Sequence, residues 1–155
     1  MAVSGPRRRR TDGGRRRQPP FGPTPAALGP PDPEALLSSL GEALRAARTQ
    51  RRPMTLVCLS VPERDGAGLS RVAALTRNTV RDTDALWRDG ERGLALLLAD
   101  ADGPTSEPAL ARLRLRLRGR GMGEVMMGRA APPPGIAAEE LLRLARADRR
   151  PISGR

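Results

Sequence analysis

The sequence predicts an α/β domain built on a central sheet flanked by helices, preceded by a disordered basic tail. Three observations carry that expectation. Segments of helical periodicity alternate with short apolar runs of strand length, in the order helix, strand, helix, hairpin, helix, strand, helix. Turn residues separate the runs at nearly every junction. The first 31 residues, MAVSGPRRRRTDGGRRRQPPFGPTPAALGPP, set Arg blocks in Pro and Gly and hold too little apolar surface to offset the entropy of ordering.

The folded part is expected over residues 32–150, with 151–155 as a short tail. Asp32-Pro33-Glu34 reads as a helix start: an N-cap acid, Pro at the first helical position and an acid in the first turn. Leu36, Leu37, Leu40, Ala43, Leu44 and Ala47 give that helix one apolar face to about Thr49, and Pro53 is read as its stop. MTLVCLSV, residues 54–61, is an unbroken apolar run, as in a strand covered on both faces. PERDGAG reads as a turn, and Leu69, Val72, Ala73 and Thr76 then share one side of a helix to Val80. Leu86-Trp87-Arg88 and Leu94–Ala99 flank Asp89-Gly90, the composition of a hairpin.

ALARLRLRLRGRG, residues 109–121, fits two readings. Strict Leu/Arg alternation argues for a strand, yet both residues are good helix formers. As a helix it puts Leu110, Leu113 and Leu117 on one face and leaves Leu115 off it. GEVMMGRA, 123–130, reads as a strand ended by three prolines, and Leu141, Leu142, Leu144 and Ala145 mark a last helix from Ala137 to Arg149.

Composition excludes several kinds of chemistry. The 155-residue chain carries a net charge of +11 with no Lys, no His and no Tyr. Without His there is no Ser-His-Asp or Cys-His catalysis and no His-based metal site. The single Cys58 lies in the apolar run and reads as a small core residue. Charge is uneven: residues 1–52 hold 11 Arg and 4 acids, residues 53–155 hold 17 Arg and 13 acids. The Arg-rich tail suggests electrostatic contact with RNA, DNA or an anionic surface, without aromatic residues for base stacking. No apolar stretch approaches a bilayer span, and no secretory signal opens the chain, so a cytoplasmic location is expected.

From about residue 33 to 148 the layout resembles the GGDEF domain, the nucleotidyl-cyclase-like catalytic module of diguanylate cyclases. Arg88-Asp89-Gly90-Glu91-Arg92-Gly93-Leu94 stands where that family has Arg-x-Gly-Gly-Asp-Glu-Phe, ahead of the apolar Ala95-Leu96-Leu97-Leu98. MTLVCLSV resembles the family's first strand, EVMMGRA its late strand with Gly128 at the glycine, and EELLRLARAD its closing helix.

The resemblance implies two sites with opposite fates. Family carboxylates that hold divalent metal come from the end of the first strand and from the turn. Here those positions are Ser60, Pro62, Arg92 and Gly93, and Glu91 takes a glycine's place. The segment that contacts guanine in the family, between the first strand and Arg81, is shortened. The landmarks before the domain are replaced by PTPAALGPPD. The reading is therefore a degenerate, non-catalytic pseudoenzyme with no metal and no cofactor.

By contrast, Arg81-Asp82-Thr83-Asp84 keeps the family's inhibitory Arg-x-x-Asp spacing before the turn. Cyclic di-GMP is the implied ligand of Arg81 and Asp84, with Arg88 as a second cation, since an Arg fork suits phosphate or the Hoogsteen edge of guanine. The ligand would link this domain to a second copy or a protein partner in signalling. The alternatives are a protein-interaction scaffold without nucleotide, or binding of nucleic acid or an anionic surface through the tail.

Overall fold

The computed structural model describes residues 29–62 and 67–153. Nine elements follow in order: α1 (Pro33–Gln50), β1 (Met54–Ser60), α2 (Ala67–Thr79), β2 (Ala85–Arg88), β3 (Gly93–Ala99), α3 (Gly103–Gly119), β4 (Met126–Ala130), α4 (Ala138–Ala147) and β5 (Arg150–Pro151). The strands form one sheet in the order β2-β3-β1-β4-β5, with every neighbouring pair antiparallel.

The period-2 alternation of strand side chains splits the core in two. Leu56 and Cys58 of β1, Ala85 and Trp87 of β2, and Ala95 and Leu97 of β3 face α1 and α4. Val57 and Leu59, Leu86, and Leu94, Leu96 and Leu98 face α2 and α3. The central strands thus have no solvent face, which is why MTLVCLSV and GLALLLA read as continuous apolar runs.

The first helix starts as its sequence directs: Asp32 Oδ1 accepts from the Ala35 N–H at 3.1 Å. Its end differs. Arg51 adopts a left-handed conformation at φ 54°, and the Arg51 and Arg52 N–H groups close back on Arg48 O and Ala47 O before Pro53 is reached. PERDGAG is not wholly a turn, because α2 already includes Ala67 and Gly68.

The Leu/Arg segment is helical. Leu110, Leu113 and Leu117 are buried and Leu115 is not, the pattern a 3.6-residue period requires. That helix begins upstream of the alternating run, at a capping box in which Asp102 Oδ1 accepts from the Thr105 N–H and Thr105 Oγ1 accepts from the Asp102 N–H.

The folded region also extends past the boundary expected at residue 150. Strand β5 pairs with β4, Ile152 is buried, and its N–H donates to Val125 O at 3.0 Å. Two residues form too short a run to show a strand period, and Pro151 argues locally against one. Residues 1–28, most of the expected disordered tail, lie outside the described residues.

Gly128 of β4 has a steric reason. A Cβ there would sit 2.4 Å from Ala145 O and 2.5 Å from Arg149 N, so α4 packs its C-terminal backbone directly on the strand. The Arg129 N–H donates to Asp148 Oδ2 at 3.0 Å and holds that approach.

Candidate functional site

Strand β2 connects two clusters of charge, one at each end. At its start, the turn after α2 closes through the Asp84 N–H donating to Arg81 O. The Asp84 side chain is 2% exposed. Its Oδ1 accepts from the Ala99 N–H at 2.9 Å and from Arg81 Nη2 at 3.3 Å, and its Oδ2 accepts from the Arg81 N–H at 3.0 Å. Asp84 therefore joins the start of β2 to the end of β3 and fixes the base of the Arg81 side chain. Arg81 Nη2 also donates to Ala99 O. The Arg81 side chain remains 58% exposed, and its Nε and Nη1 donate to no described residue.

Beside Arg81 lies a cavity of about 270 Å³. Thr79 and Val80 from the end of α2, Asp100 after β3, and Thr105 and Arg112 from α3 line it together with Arg81 and Asp84. Arg112 is exposed and donates to no described residue, so two guanidinium groups with spare donors share this cavity. Asp100 is engaged by Arg52 at 3.0 Å. The sequence reading passed over Arg112 because it sits within the Leu/Arg alternation, where nothing local separates it from its neighbours.

The other end of β2 is closed. Arg88 lies at the hairpin turn, away from Arg81, and its side chain is 18% exposed. Its Nε donates to Gly90 O at 3.0 Å, Nη1 to Gly29 O at 2.7 Å and Nη2 to Glu91 O at 3.1 Å. Those bonds make Arg88 a staple for the turn and for the entry to α1. The sequence placed it as a second cation beside Arg81; the structure does not bring the two together.

The end of β1 and the turn do meet, as the resemblance implies. Ser60 pairs with Gly93, the Val61 N–H donates to Arg92 O at 2.9 Å, and Arg92 Nη1 donates to Pro62 O at 3.1 Å. Gly93 is buried, and a Cβ on it would lie 2.4 Å from Asp89 O. Leu94 is buried in the α2/α3 half of the core, while Gly90 and Glu91 are exposed at the tip.

Asp89 was not singled out in the sequence. Its buried carboxylate accepts from Arg146 Nη2 and from Arg146 Nε at 3.2 Å, which ties the turn to α4 across 57 residues. The bond to Asp89 raises the Arg146 pKa further. No sequence signal marks such a long-range pair. Below it, burial first and the Asp89 charge second push the Cys58 thiol up to about 12, so it stays protonated and acts as core.

No protein-family model matches the chain, and no curated protein matches it. Solved structures do. The GGDEF domain of DgcB from Caulobacter crescentus, in complex with c-di-GMP, superposes with a TM-score of 0.66 at 16% identity, over 80% of this chain and 85% of that one.

The fold is that of a GGDEF domain. The active GGEEF domain of a diguanylate cyclase from Vibrio cholerae gives 0.64 at 14% identity, over 74% and 85%. The diguanylate cyclase SiaD from Pseudomonas aeruginosa, in complex with its activator SiaC, gives 0.64 at 17%, over 84% and 55%. Among the described residues no helix is long and apolar enough to cross a membrane.

In a GGDEF fold with cyclase activity, metal is expected between the end of β1 and the hairpin turn. The described residues here do not fit it. Ser60, Pro62 and Gly93 offer no carboxylate, and the Arg92 guanidinium spans the gap to Pro62 O. A cation fixed there opposes a divalent ion, whose hard charge calls for anionic oxygen.

Proposed function

We propose that this protein is a non-catalytic GGDEF-like signalling domain that senses cyclic di-GMP through Arg81. One observation supports the reading: the Arg81 guanidinium, anchored by the buried Asp84 and with donors to spare, lines a cavity together with Arg112. A cyclic dinucleotide presents two phosphates and two guanine Hoogsteen edges, all acceptors suited to Arg forks. The solved DgcB domain in complex with c-di-GMP supports that ligand class for the fold.

Relative to the motif reading, the roles shift. Asp84 is filled by three protein donors and acts as a positioning residue for Arg81. Arg112 takes the place of Arg88 as the second cation. Cyclase activity is not part of the proposal, because Arg92 and Gly93 stand where metal carboxylates would be needed.

Titration calorimetry with cyclic di-GMP tests this directly. The wild type binds, Arg81→Ala removes the heat, and Arg112→Ala weakens binding about tenfold, the loss of one charge-assisted fork. No heat from the wild type at high micromolar ligand overturns the sensing role and leaves a protein-binding scaffold. Incubation with GTP and Mg²⁺ yields no dinucleotide; turnover abolished by unfolding the domain overturns the non-catalytic reading.

A further inference from the structure

The helices on the two faces of the sheet differ in charge. The α1 and α4 helices hold Arg45, Arg48, Arg143 and Arg146 against Glu34, Glu42, Glu139 and Glu140, an even balance. On the other face, α2 and α3 hold Arg71, Arg77, Arg112, Arg114, Arg116 and Arg118 against Glu107 alone. Glu107 is shared by Arg114 at 3.0 Å and Arg129 at 2.6 Å. Arg116 and Arg118 donate only to neutral acceptors, on Asn78, Thr79 and Ile152, so their charge is not compensated.

This cationic face also presents apolar surface. Leu115 is 64% exposed, the one exposed large hydrophobic side chain among the described residues. At about 100° per residue, Leu115 falls on the pole of α3 opposite Leu110, Leu113 and Leu117. Pro104, Pro108 and Ala111 are exposed along the same outer ridge. Arg112 and Arg116 flank the ridge on one side, and Arg114 and Arg118 on the other.

We infer that the outer face of α3 docks on an anionic lipid surface. A line of apolar residues flanked on both sides by arginines is the arrangement of a helix lying in the interface plane. Leu115 enters the boundary below the headgroups, and the guanidiniums meet lipid phosphates and carboxylates. A nucleic acid would use the charge and leave Leu115 without a role, and the only described aromatic side chain, Trp87, is buried and unavailable for stacking. Attachment through one leucine and a few cations is reversible and salt-sensitive.

Vesicle flotation of the full chain tests the inference, with phosphatidylcholine vesicles alone or containing one-third phosphatidylserine. Every arm includes the N-terminal arginines, so the readout is the ratio between variants. The wild type floats only with phosphatidylserine and is released by salt. Leu115→Gln and Arg112→Ala each weaken binding roughly fivefold, and unchanged thermal melts show that both remain folded. In Leu115→Trp, phosphatidylserine vesicles shift the emission to the blue, over the constant background of the buried Trp87. Binding indifferent to Leu115→Gln overturns the inference. So does tighter retention on duplex DNA that ignores Leu115, which would make this a nucleic-acid face.

Discussion

Two buried aspartates bracket β2, Asp84 before Ala85 and Asp89 after Arg88, and each is met by an arginine. Asp84 takes its arginine from three residues upstream and adds the N–H groups of Arg81 and Ala99, so its carboxylate holds three protein donors. Asp89 takes Arg146 from a distant helix and serves to dock the turn on α4. The cations near each aspartate complete the contrast. Arg81 has spare donors at a cavity, whereas Arg88 and Arg92 bond to backbone carbonyls, of Gly90 and Glu91 in the turn and of Gly29 and Pro62 beside it. An arginine keeps the capacity to bind a ligand when its partner acid uses part of its fork and open space faces the rest. Where local carbonyls take up the fork, the same side chain becomes structure.

The comparison is broken most directly at Asp84. Asp84→Ala leaves the Ala99 N–H without its acceptor inside the sheet and leaves Arg81 held by Ala99 O alone, a loss of about 3 kcal/mol in urea unfolding. A stability equal to wild type would mean that Asp84 does not hold this corner. Next in size is Gly93→Ala, where the new Cβ meets Asp89 O at 2.4 Å and Leu59 O at 3.2 Å. About 2 kcal/mol is expected from the forced shift of the turn, and a melt unchanged by this substitution would show that the turn is not closed.

Arg88→Ala separates the two ends functionally. It removes three bonds to carbonyls and costs about 1 kcal/mol, yet leaves the calorimetric response to cyclic di-GMP at its wild-type value. A response lost along with Arg88 would return that residue to the ligand site.

The smallest effect concerns pH. The hydrogen bond from Arg114, with the Arg114 and Arg129 charges, holds Glu107 below the ordinary glutamate range despite some burial. A depressed native pKa stabilises the fold above the ordinary value and is lost as pH falls through the native one. Glu107→Gln should therefore flatten acid unfolding by less than about 1 kcal/mol, because the pair is half exposed. A larger change would place Glu107 among the structural acids with Asp84.

Much of this was legible along the chain. Helical periodicity marked α1 and α4, an unbroken apolar run marked β1 and the Asp89-Gly90 composition marked the hairpin, while the family resemblance drew attention to Arg81 and Asp84. The Arg-x-x-Asp spacing did not reveal that Asp84 is turned inward, because a motif fixes which residues are near in sequence and not which backbone groups compete for them. Arg112 and the Asp89–Arg146 pair were invisible for a related reason: each depends on a helix returning to the sheet from tens of residues away.

By itself the sequence determined the order of the elements up to α4, the Leu/Arg run apart, and the all-apolar central strands, because side-chain period is a local property of each segment. The resemblance to GGDEF domains, carried by the turn residues, implied that Arg92 and Gly93 stand where that family has metal-binding carboxylates. Packing in three dimensions decided that the Leu/Arg run is a helix, since only contact with the sheet rewards Leu110, Leu113 and Leu117 over Leu115. It decided as well which arginines are spent on carbonyls and which face open space, because hydrogen-bond partners are chosen by proximity in space.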